Sequence, residues 1–360
     1  MRPKATIDLY AIKENFKTIS SIIGAVVCSA VVKADAYGLG AQKVSRALYD
    51  VGCRNFWAAY LEEALDVRKV LPLDANIFFL QGFLKSDIDL IKKYKITPVI
   101  NSLDEFNDIK NQNLGFVIHV DTGLSRLGLR LEDIDEILPF LKEEKIVYVI
   151  SHLACSDEKN HYLNLKQKNR FNDVLRKIRN LIPVKAGISA TSGAFFGKEF
   201  YYDIVRVGAF LYGIQTGDMI KPKNVFSLKA NVLQKYELEA GVPIGYGATF
   251  LTKKHTKIAI ISIGYADGIK ISLSNNGIIG FQEKSGKLHK APILGKISMD
   301  LIVCDVSSIP NYEVNSSYCA IIINENYSIN DMAVDAKTTA YDILSSLKLG
   351  SSRAFLEYIG

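Results

Sequence analysis

Short apolar runs recur at fairly regular intervals along the first two thirds of the chain. Most are apolar on both faces, as parallel strands covered by helices must be. The eight runs are Ala25–Val32, Phe56–Ala59, Asn76–Leu80, Thr97–Ile100, Phe116–Val120, Ile146–Ile150, Pro183–Ile188 and Asp203–Val207. Amphipathic segments such as Ala11–Ile23 and Ala41–Val51 separate them and predict helices. This alternation predicts an α/β fold, a closed (β/α)8 TIM barrel. An open doubly wound sheet is disfavoured because no G-x-G-x-x-G motif follows the first strand.

The pattern changes after about residue 222, where apolar runs become separated by Gly, Asn and Pro turns. The predicted strands are Lys257–Ile263, Ile293–Ile297, Leu301–Val306 and Ser317–Ile323, followed by a helical region from Asn330 to Leu347. A chain of 360 residues accommodates two domains at roughly 100–200 residues each. We therefore expect a barrel over residues 1–222 and a mostly β domain over residues 223–360.

Composition excludes several classes of protein. The chain is 48% hydrophobic and 23% charged, which rules out disorder, collagen-like repeats and coiled coils. A net charge of +6, with dispersed Lys and Arg, gives no indication of nucleic-acid binding. The longest near-apolar stretch, Ile22 to Val32, is too short to span a bilayer, and no signal-peptide core is visible. The five cysteines lie outside any CxxC spacing, so we expect small buried residues in a cytoplasmic protein, without a disulfide framework or a metal site.

A lysine ends the first predicted barrel strand. Lys33 directly follows a mainly apolar run and begins in a partly desolvated place, which lowers its pKa and makes a neutral amine available. A lysine that only extends its ammonium group from a strand end into solvent would give the same pattern. The interpretation therefore depends on what accompanies Lys33 at the barrel mouth.

Further polar or small residues follow the later strands, and the carboxyl ends of barrel strands meet at one mouth. Arg126 follows the fifth strand, His152 the sixth, Ser192 the seventh, and Arg206, Gly208 and Ala209 close the eighth. Small residues and hydroxyls after the seventh and eighth strands lie where barrels commonly bind a phosphate group. A reactive lysine, a phosphate site and an arginine at one mouth predict pyridoxal 5′-phosphate as cofactor, attached to Lys33.

Six sequence blocks, spread over both predicted domains, carry a specific resemblance. They are V-V-K-A-D-A-Y-G at 31–38, D-T-G-L-S-R-L-G at 121–128, R-V-G-A-F-L-Y-G at 206–213, G-Y-G-A-T at 245–249, I-G-Y-A-D-G at 263–268 and G-K-I-S-M-D at 295–300. The blocks occur in the order that is found in the alanine racemase family, pyridoxal-phosphate enzymes of fold type III. The chain resembles that family along essentially its whole length. Six blocks in one order leave little room for chance.

The resemblance implies a role for each matching residue. Lys33 would carry the cofactor and act as the base on one face of the substrate Cα. Tyr246 would be the base on the opposite face, contributed by the partner subunit of a head-to-tail homodimer. Arg206 would face the pyridine nitrogen, and His152 would lie beside the ring and hydrogen-bond Tyr246. The residues implied to hold the phosphate are Tyr37, Ser192, Gly208, Ala209 and Tyr341. Those implied to bind the substrate carboxylate are Arg126 and the backbone N–H of Met299, while Tyr265 would line the access passage.

The implied activity is the interconversion of L-alanine and D-alanine, which supplies D-alanine for peptidoglycan. Inversion through a planar carbon requires a proton removed on one face and delivered on the other, so two bases are needed. An arginine at the pyridine nitrogen leaves that nitrogen unprotonated, which favours racemisation over decarboxylation. Two alternatives remain open: a broad-specificity racemase acting on serine or basic amino acids, and a pyridoxal-phosphate-binding barrel without turnover. Proteins of the latter kind lack the second domain. A structural role without catalysis is the remaining possibility.

The chain departs from the family pattern at three positions. His119 stands where many members carry a lysine that is carbamylated and positions the substrate arginine. A histidine cannot form that stable carbamate, so another group must orient Arg126. Thr191 replaces a usual asparagine, and Lys296 replaces a common arginine next to the loop of Met299.

Overall fold

Eight parallel strands form the first large sheet of the protein. The computed structural model describes residues 2–217, 220–282, 285–310, 314, 319–349 and 353–360. After β1 (Lys4–Asp8), the parallel strands are β2 (Val27–Val31), β3 (Asn55–Ala58), β4 (Asn76–Phe79), β5 (Ile96–Ile100), β6 (Phe116–His119), β7 (Ile146–Ile150), β8 (Lys185–Gly187) and β9 (Ile204–Val207). The strands are ordered β8-β7-β6-β5-β4-β3-β2-β9.

Backbone hydrogen bonds join the two edges of this sheet. Asp203 N–H donates to the Ala186 carbonyl at 2.9 Å, and Arg206 N–H donates to the Ser189 carbonyl at 3.0 Å. The two edge strands, β8 and β9, therefore meet, and the sheet closes into a barrel. The predicted (β/α)8 barrel is confirmed, and all eight predicted strands are present with ends shifted by a few residues.

Helices surround the barrel, and α1 shows how the sequence places them. They are α1 (Leu9–Ile23), α3 (Ala41–Asp50), α4 (Leu61–Arg68), α5 (Ile88–Tyr94), α6 (Leu103–Ile109), α7 (Leu131–Ile137) and α8 (Tyr162–Arg179), while the short α2 (Lys33–Tyr37) follows β2 at the barrel mouth. The Asp8 carboxylate caps α1 by accepting the Ala11 N–H at 2.9 Å. Gly24, at φ 68°, ends this helix, since a positive φ suits glycine. The buried face of α1 carries Ile12 and Phe16.

Large side chains fill the barrel interior. Trp57 stacks on Phe78 with ring centroids 4.3 Å apart, and Tyr148 meets the edge of Phe78. The indole N–H of Trp57 donates to the Ser29 hydroxyl at 2.9 Å, which satisfies the buried donor. The interior is thus a packed core, and the open space lies at the carboxyl ends of the strands.

The remaining strands form three smaller sheets. They are β10 (Phe226–Ala230), β11 (Val232–Leu238), β12 (Pro243–Ile244), β13 (Phe250–Leu251), β14 (Thr256–Ile261), β15 (Ile278–Gln282), β16 (Leu288–Pro292), β17 (Ile302–Asp305), β18 (Ala320–Ile323) and β19 (Phe355–Ile359). The sheets are ordered β16-β15-β18-β10-β1-β19, β11-β14-β17 and β12-β13. The mostly β second part is confirmed. Because β1 pairs with β10 and β19, the first strand of the chain lies in the larger of these sheets. The division at residue 222 stays a prediction.

Some predictions about this second part need correction. The predicted strand Ile293–Ile297 is wrong, because β16 ends at Pro292 and Gly295 has φ 74°, which breaks an extended chain. The segment is a loop, and its apolar side chains are buried in the core. The predicted helical region is two helices, α9 (Ile329–Asp335) and α10 (Ala340–Ser346). Residues 317 and 318 of the predicted strand Ser317–Ile323 lie outside the described residues.

The cysteines are free thiols, and Cys53 and Cys304 are buried. Within the described residues, His, Cys, Asp and Glu side chains do not converge in groups of three or more that could hold a metal ion. Across the same part of the chain, every helix is too short or too polar to cross a membrane.

Candidate active site

A cavity of about 660 Å³ opens at the carboxyl ends of the barrel strands. Most of the site residues predicted from the sequence line it. These are Lys33, Tyr37, Arg126, His152, Ser192, Arg206, Gly208, Ala209 and Tyr341. The expectation that polar residues after successive strands meet at one mouth therefore holds for these nine residues. Their roles toward a cofactor or substrate stay predictions.

The segment that follows Lys33 has an unusual backbone. From Ala34 to Tyr37, φ lies between 51° and 59°, so α2 is a left-handed turn. Such a conformation costs roughly 1–2 kcal/mol per non-glycine residue. Acidic side chains hold the turn: Glu63 accepts the Ala34 N–H at 2.8 Å, and Asp35 accepts the Ala41 N–H at 2.7 Å. Concentrated strain of this kind is typical of functional sites.

The environment of Lys33 favours its neutral amine. Burial lowers the pKa of Lys33, and the positive charge of Arg126 lowers it further. The Glu63 carboxylate acts in the opposite direction, and Arg206 adds another cation. Because burial and two arginines outweigh one carboxylate, Lys33 is a stronger nucleophile near neutral pH than an exposed lysine.

Tyr37 and Tyr341 contribute phenol groups to the same cavity. Burial raises the pKa of Tyr37 well above its ordinary value, and burial together with the Asp157 carboxylate raises the pKa of Tyr341 to about 12. Both phenols therefore keep their protons and act as hydrogen-bond donors. A Cβ on Gly208 would lie 2.6 Å from Tyr37 Oη, so only glycine allows this close approach.

Arg206 is a buried cation beside a neutral histidine. Its guanidinium donates to the carbonyls of Gly187 at 3.2 Å and Ser151 at 2.5 Å, and lies 3.4 Å from His152 Nδ1. Since a guanidinium can only donate, Nδ1 of His152 is the acceptor and Nε2 carries the proton. Burial and the positive charge of Arg206 lower the pKa of His152 to about 3, so this ring is neutral.

The segments after the seventh and eighth barrel strands bring small groups and hydroxyls to the cavity. The Ser192 hydroxyl donates to the Asp157 carboxylate at 2.8 Å, and the Gly208 N–H donates to the Thr191 hydroxyl at 3.1 Å. Ala209 begins a single turn of 3₁₀ helix. Thr191, one of the departures from the family pattern, thus supports the backbone at Gly208.

The loop that carries Arg126 is shaped by a carboxylate. Asp121 Oδ1 accepts three backbone N–H groups within 3.1 Å, from Gly123, Leu124 and Ser125. Burial alone would raise the pKa of Asp121, but these three donors outweigh it and leave the pKa below its ordinary value. Asp121 is therefore committed to the fold of the loop, and Arg126 is directed into the cavity lining.

Tyr246, Tyr265 and Met299 do not line the cavity within the described residues of one chain. They are 73%, 39% and 53% exposed on the second part of the protein. Tyr265 N–H donates to the Ser298 carbonyl at 3.1 Å, and Ala266 N–H to the Met299 carbonyl at 3.0 Å, so the loops of Tyr265 and Met299 are adjacent. The candidate site in one chain thus contains Lys33 without Tyr246.

Sequence reasoning missed three residues at this mouth. Asn101 directly follows β5 and hydrogen-bonds His119, and the rule that polar residues after strands line the mouth identifies it. Glu63, which holds the turn after Lys33, reads in the sequence as an ordinary acid in the first turn of α4. Asp157 lies in a long polar loop, where the sequence gives no signal.

The residues present fit pyridoxal 5′-phosphate. The cavity contains a lysine of lowered pKa to bind an aldehyde, protonated phenols to donate to phosphate oxygens, and a buried cation in Arg206. The glycine at 208 leaves room for Tyr37 where a Cβ would collide with it. These are the groups that a phosphate-bearing aromatic aldehyde requires.

Comparisons with known proteins cover nearly the whole chain. Residues 7–216 match the family described as alanine racemase, N-terminal domain, and residues 225–355 match alanine racemase, C-terminal domain. The chain is 36% identical over 363 residues to alanine racemase of Rickettsia rickettsii (strain Sheila Smith), covering 98% of each. It is 34% identical over 375 residues to that of Brucella abortus (strain 2308), covering 98% and 93%.

Solved structures show the same likeness. Alanine racemase from Bartonella henselae, with covalently bound pyridoxal phosphate, is 35% identical with a TM-score of 0.90, and all of each chain is covered. The biosynthetic alanine racemase from Pseudomonas aeruginosa is 27% identical with a TM-score of 0.89, covering 100% of this chain and 99% of that one. The likeness therefore includes both parts of the chain.

Proposed function

This chain belongs to the alanine racemase family, and from that premise we propose that it interconverts L-alanine and D-alanine with pyridoxal 5′-phosphate as cofactor. The observation that carries the proposal is the convergence of Lys33, Arg206 and Arg126 at one barrel mouth. The lowered pKa of Lys33 suits an amine that binds an aldehyde. Arg206 can donate to the nitrogen of the cofactor ring, and Arg126 can bind the carboxylate of the substrate.

Residues of the barrel mouth hold the cofactor. Lys33 would bind its aldehyde carbon, and Arg206 would face its pyridine nitrogen. The phosphate is held by Tyr37, Ser192, Gly208, Ala209 and Tyr341. When bound, pyridoxal 5′-phosphate supplies an electron-accepting ring that weakens the Cα–H bond of the substrate. Because the Arg206 guanidinium can only donate, it would leave the pyridine nitrogen unprotonated, which would favour racemisation.

Two residues exchange the proton of the substrate Cα. Lys33 takes or delivers it on one face, and Tyr246 does so on the opposite face, so that the configuration inverts. Arg126 and the N–H of Met299 bind the substrate carboxylate. Neutral His152 hydrogen-bonds Tyr246 through its protonated Nε2.

The second proton-transfer residue comes from a second copy of the chain. Tyr246 and Met299 are exposed and absent from the cavity lining of the described residues, while Lys33 is inside it. A homodimer in which each subunit supplies Tyr246, Tyr265 and Met299 to its partner completes both sites. A two-fold homodimer, in which each subunit gives the same residues to the other, is the commonest symmetric assembly.

A circular-dichroism assay of L- and D-alanine in separate reactions tests the activity. The purified protein, loaded with pyridoxal 5′-phosphate, should convert each enantiomer into the racemic mixture. Serine and lysine in the same assay distinguish a broad-specificity racemase. Failure to convert either alanine enantiomer would reject the proposal.

Mixing two inactive variants tests the shared site. Lys33→Ala and Tyr246→Ala are each inactive alone, but in a mixed dimer one site keeps both residues. Refolded or exchanged mixtures should regain about a quarter of wild-type activity, since half of the dimers are mixed and each has one intact site. No recovery in a mixture proven to contain mixed dimers would show that both residues act within one chain.

The proposed product places the enzyme in cell-wall synthesis, because peptidoglycan contains D-alanine. A cytoplasmic location fits the free thiols of its cysteines. A pyridoxal-phosphate-binding barrel without turnover is disfavoured, because residues 225–355 match the C-terminal domain of the family.

A further inference from the structure

His119 lies at the end of β6 and is buried against Asn101. His119 Nδ1 and Asn101 Oδ1 are 2.8 Å apart. Asn101 Nδ2 donates to two carbonyls, those of Leu80 at 3.0 Å and Val99 at 3.2 Å, which uses both of its protons. The amide is thereby fixed with Oδ1 toward the ring, so Nδ1 of His119 must be the donor. The neutral ring therefore keeps its lone pair on Nε2.

The Nε2 atom is available at the cavity. His119 lines the cavity, and Nε2 makes no hydrogen bond to any other described residue. Burial, together with the positive charges of Arg206 and Arg126, lowers the pKa of His119 to about 3. The ring is thus a neutral hydrogen-bond acceptor among cations.

Arg126 lies on the loop that begins and ends at this histidine. Leu129 N–H donates to the His119 carbonyl at 2.8 Å, and Asp121 N–H donates to the Leu129 carbonyl at 2.9 Å. The loop of residues 121–128 is thereby closed at the His119 backbone, and Arg126 lies close enough for its charge to lower the pKa of the His119 ring. Arg126 itself has no hydrogen bond or ion pair to another residue in the described ranges. The nearest carboxylate in sequence, Asp121, is occupied by the backbone of the loop.

We propose that His119 is a positioning residue: when a substrate carboxylate binds, the Arg126 guanidinium donates a hydrogen bond to the open Nε2 of His119, which holds that arginine toward the carboxylate. The inference rests on the proposed function, in which Arg126 binds that carboxylate. A neutral acceptor orients the guanidinium without cancelling its charge, so Arg126 keeps its full attraction for a carboxylate. Asn101 acts one step further back, because it selects the tautomer in which Nε2 can accept.

Propionate binding to the cofactor-loaded enzyme tests this role without turnover. Calorimetry should show that His119→Ala weakens propionate binding roughly 10-fold or more, the effect of losing a hydrogen bond to a charged group. The KM for alanine should rise in the same proportion, with a smaller change in kcat. His119→Gln keeps a neutral acceptor and should recover part of the affinity. Nitrogen-15 NMR of the wild-type enzyme should find the proton of His119 on Nδ1.

The control is His255→Ala, which removes an exposed histidine paired with Glu237. It should leave the dissociation constant of propionate and the KM unchanged. The inference is overturned if His119→Ala binds propionate as wild type does, or if NMR finds the proton on Nε2. The NMR result stands even if His119→Ala does not fold. An enzyme that binds propionate through His119 but racemises neither enantiomer would instead reject the proposed function alone.

Discussion

Gly208 lets Tyr37 reach the proposed phosphate site, and replacing it with alanine should displace that tyrosine. A Cβ at position 208 would lie 2.6 Å from Tyr37 Oη and 3.3 Å from Val31 Cβ. Ordinary contact needs roughly 3.5 Å, so the phenol oxygen must move by about 1 Å. The Tyr37 ring has little room to move, because its centroid lies 4.9 Å from that of the Tyr212 ring and 5.9 Å from that of the Tyr341 ring.

The expected cost is the loss of one hydrogen bond to a charged phosphate. Such a bond contributes about 1.5–3 kcal/mol, equivalent to roughly 10- to 150-fold in the Kd for the cofactor. Titration of the cofactor-free Gly208→Ala variant with pyridoxal 5′-phosphate, followed by visible absorbance, measures that Kd. Gly208 has φ −128° and ψ −73°, outside the common extended and helical regions, so alanine also strains the backbone at this position.

A double-mutant cycle distinguishes displacement of Tyr37 from any effect of Gly208→Ala that does not involve Tyr37. Tyr37→Phe removes the phenol oxygen and with it the shortest contact, leaving the ring carbon Cζ at 3.2 Å. In that background, Gly208→Ala should therefore weaken cofactor binding far less than it does in the wild type. Full additivity of the two changes would refute the reasoning, because it would mean that Gly208 acts independently of Tyr37.

Three further predictions follow from the site and the core. Tyr246→Phe should suppress exchange of the Cα proton of L-alanine with deuterated solvent much more than that of D-alanine, and equal suppression would contradict the two-base assignment. Burial first, and Arg126 second, lower the pKa of Lys33, so Arg126→Gln should raise that pKa. Only the neutral Lys33 amine binds the aldehyde of pyridoxal 5′-phosphate, so the pH profile of the rate at which the cofactor-free Arg126→Gln variant binds it should shift to higher pH. An unchanged profile would exclude an effect of Arg126 on the pKa of Lys33. Ser29→Ala leaves the buried Trp57 N–H without its acceptor and should cost about 1–3 kcal/mol in urea unfolding, whereas a loss near zero would show that another acceptor replaces Ser29.

The barrel was predictable because its strands are buried on both faces. Continuous apolar runs such as Phe116–Val120 and Ile146–Ile150 have few other structural interpretations when helices alternate with them. Their observed ends, at His119 and Ile150, differ from the prediction by at most one residue. The polar residues that follow such strands were then located correctly at the mouth.

The second part was less predictable because several of its strands are exposed or lie at the edges of their sheets. β11 carries a run of exposed residues from Leu233 to Glu237, and no apolar signal marks it. β1 and β19 pair with each other from opposite ends of the chain, a contact that no local pattern specifies. The segment Ile293–Ile297 has the apolar pattern of a strand but forms a loop, and its apolar side chains are buried in the core.

Burial, and after it the positive charges of the mouth, explain why its two histidines are neutral, and neither is revealed by periodicity. Lys33, Arg126 and Arg206 place three cationic side chains around one cavity, and each positive charge disfavours another. His119 and His152, buried among them, have their pKa values lowered to about 3, and act as hydrogen-bonding groups only. A surplus of positive charge in a partly buried site costs folding free energy unless anions enter it. A cofactor phosphate and a substrate carboxylate supply that negative charge. The repulsion that adds to burial in lowering the pKa of Lys33 therefore also favours binding of an anionic cofactor and an amino acid.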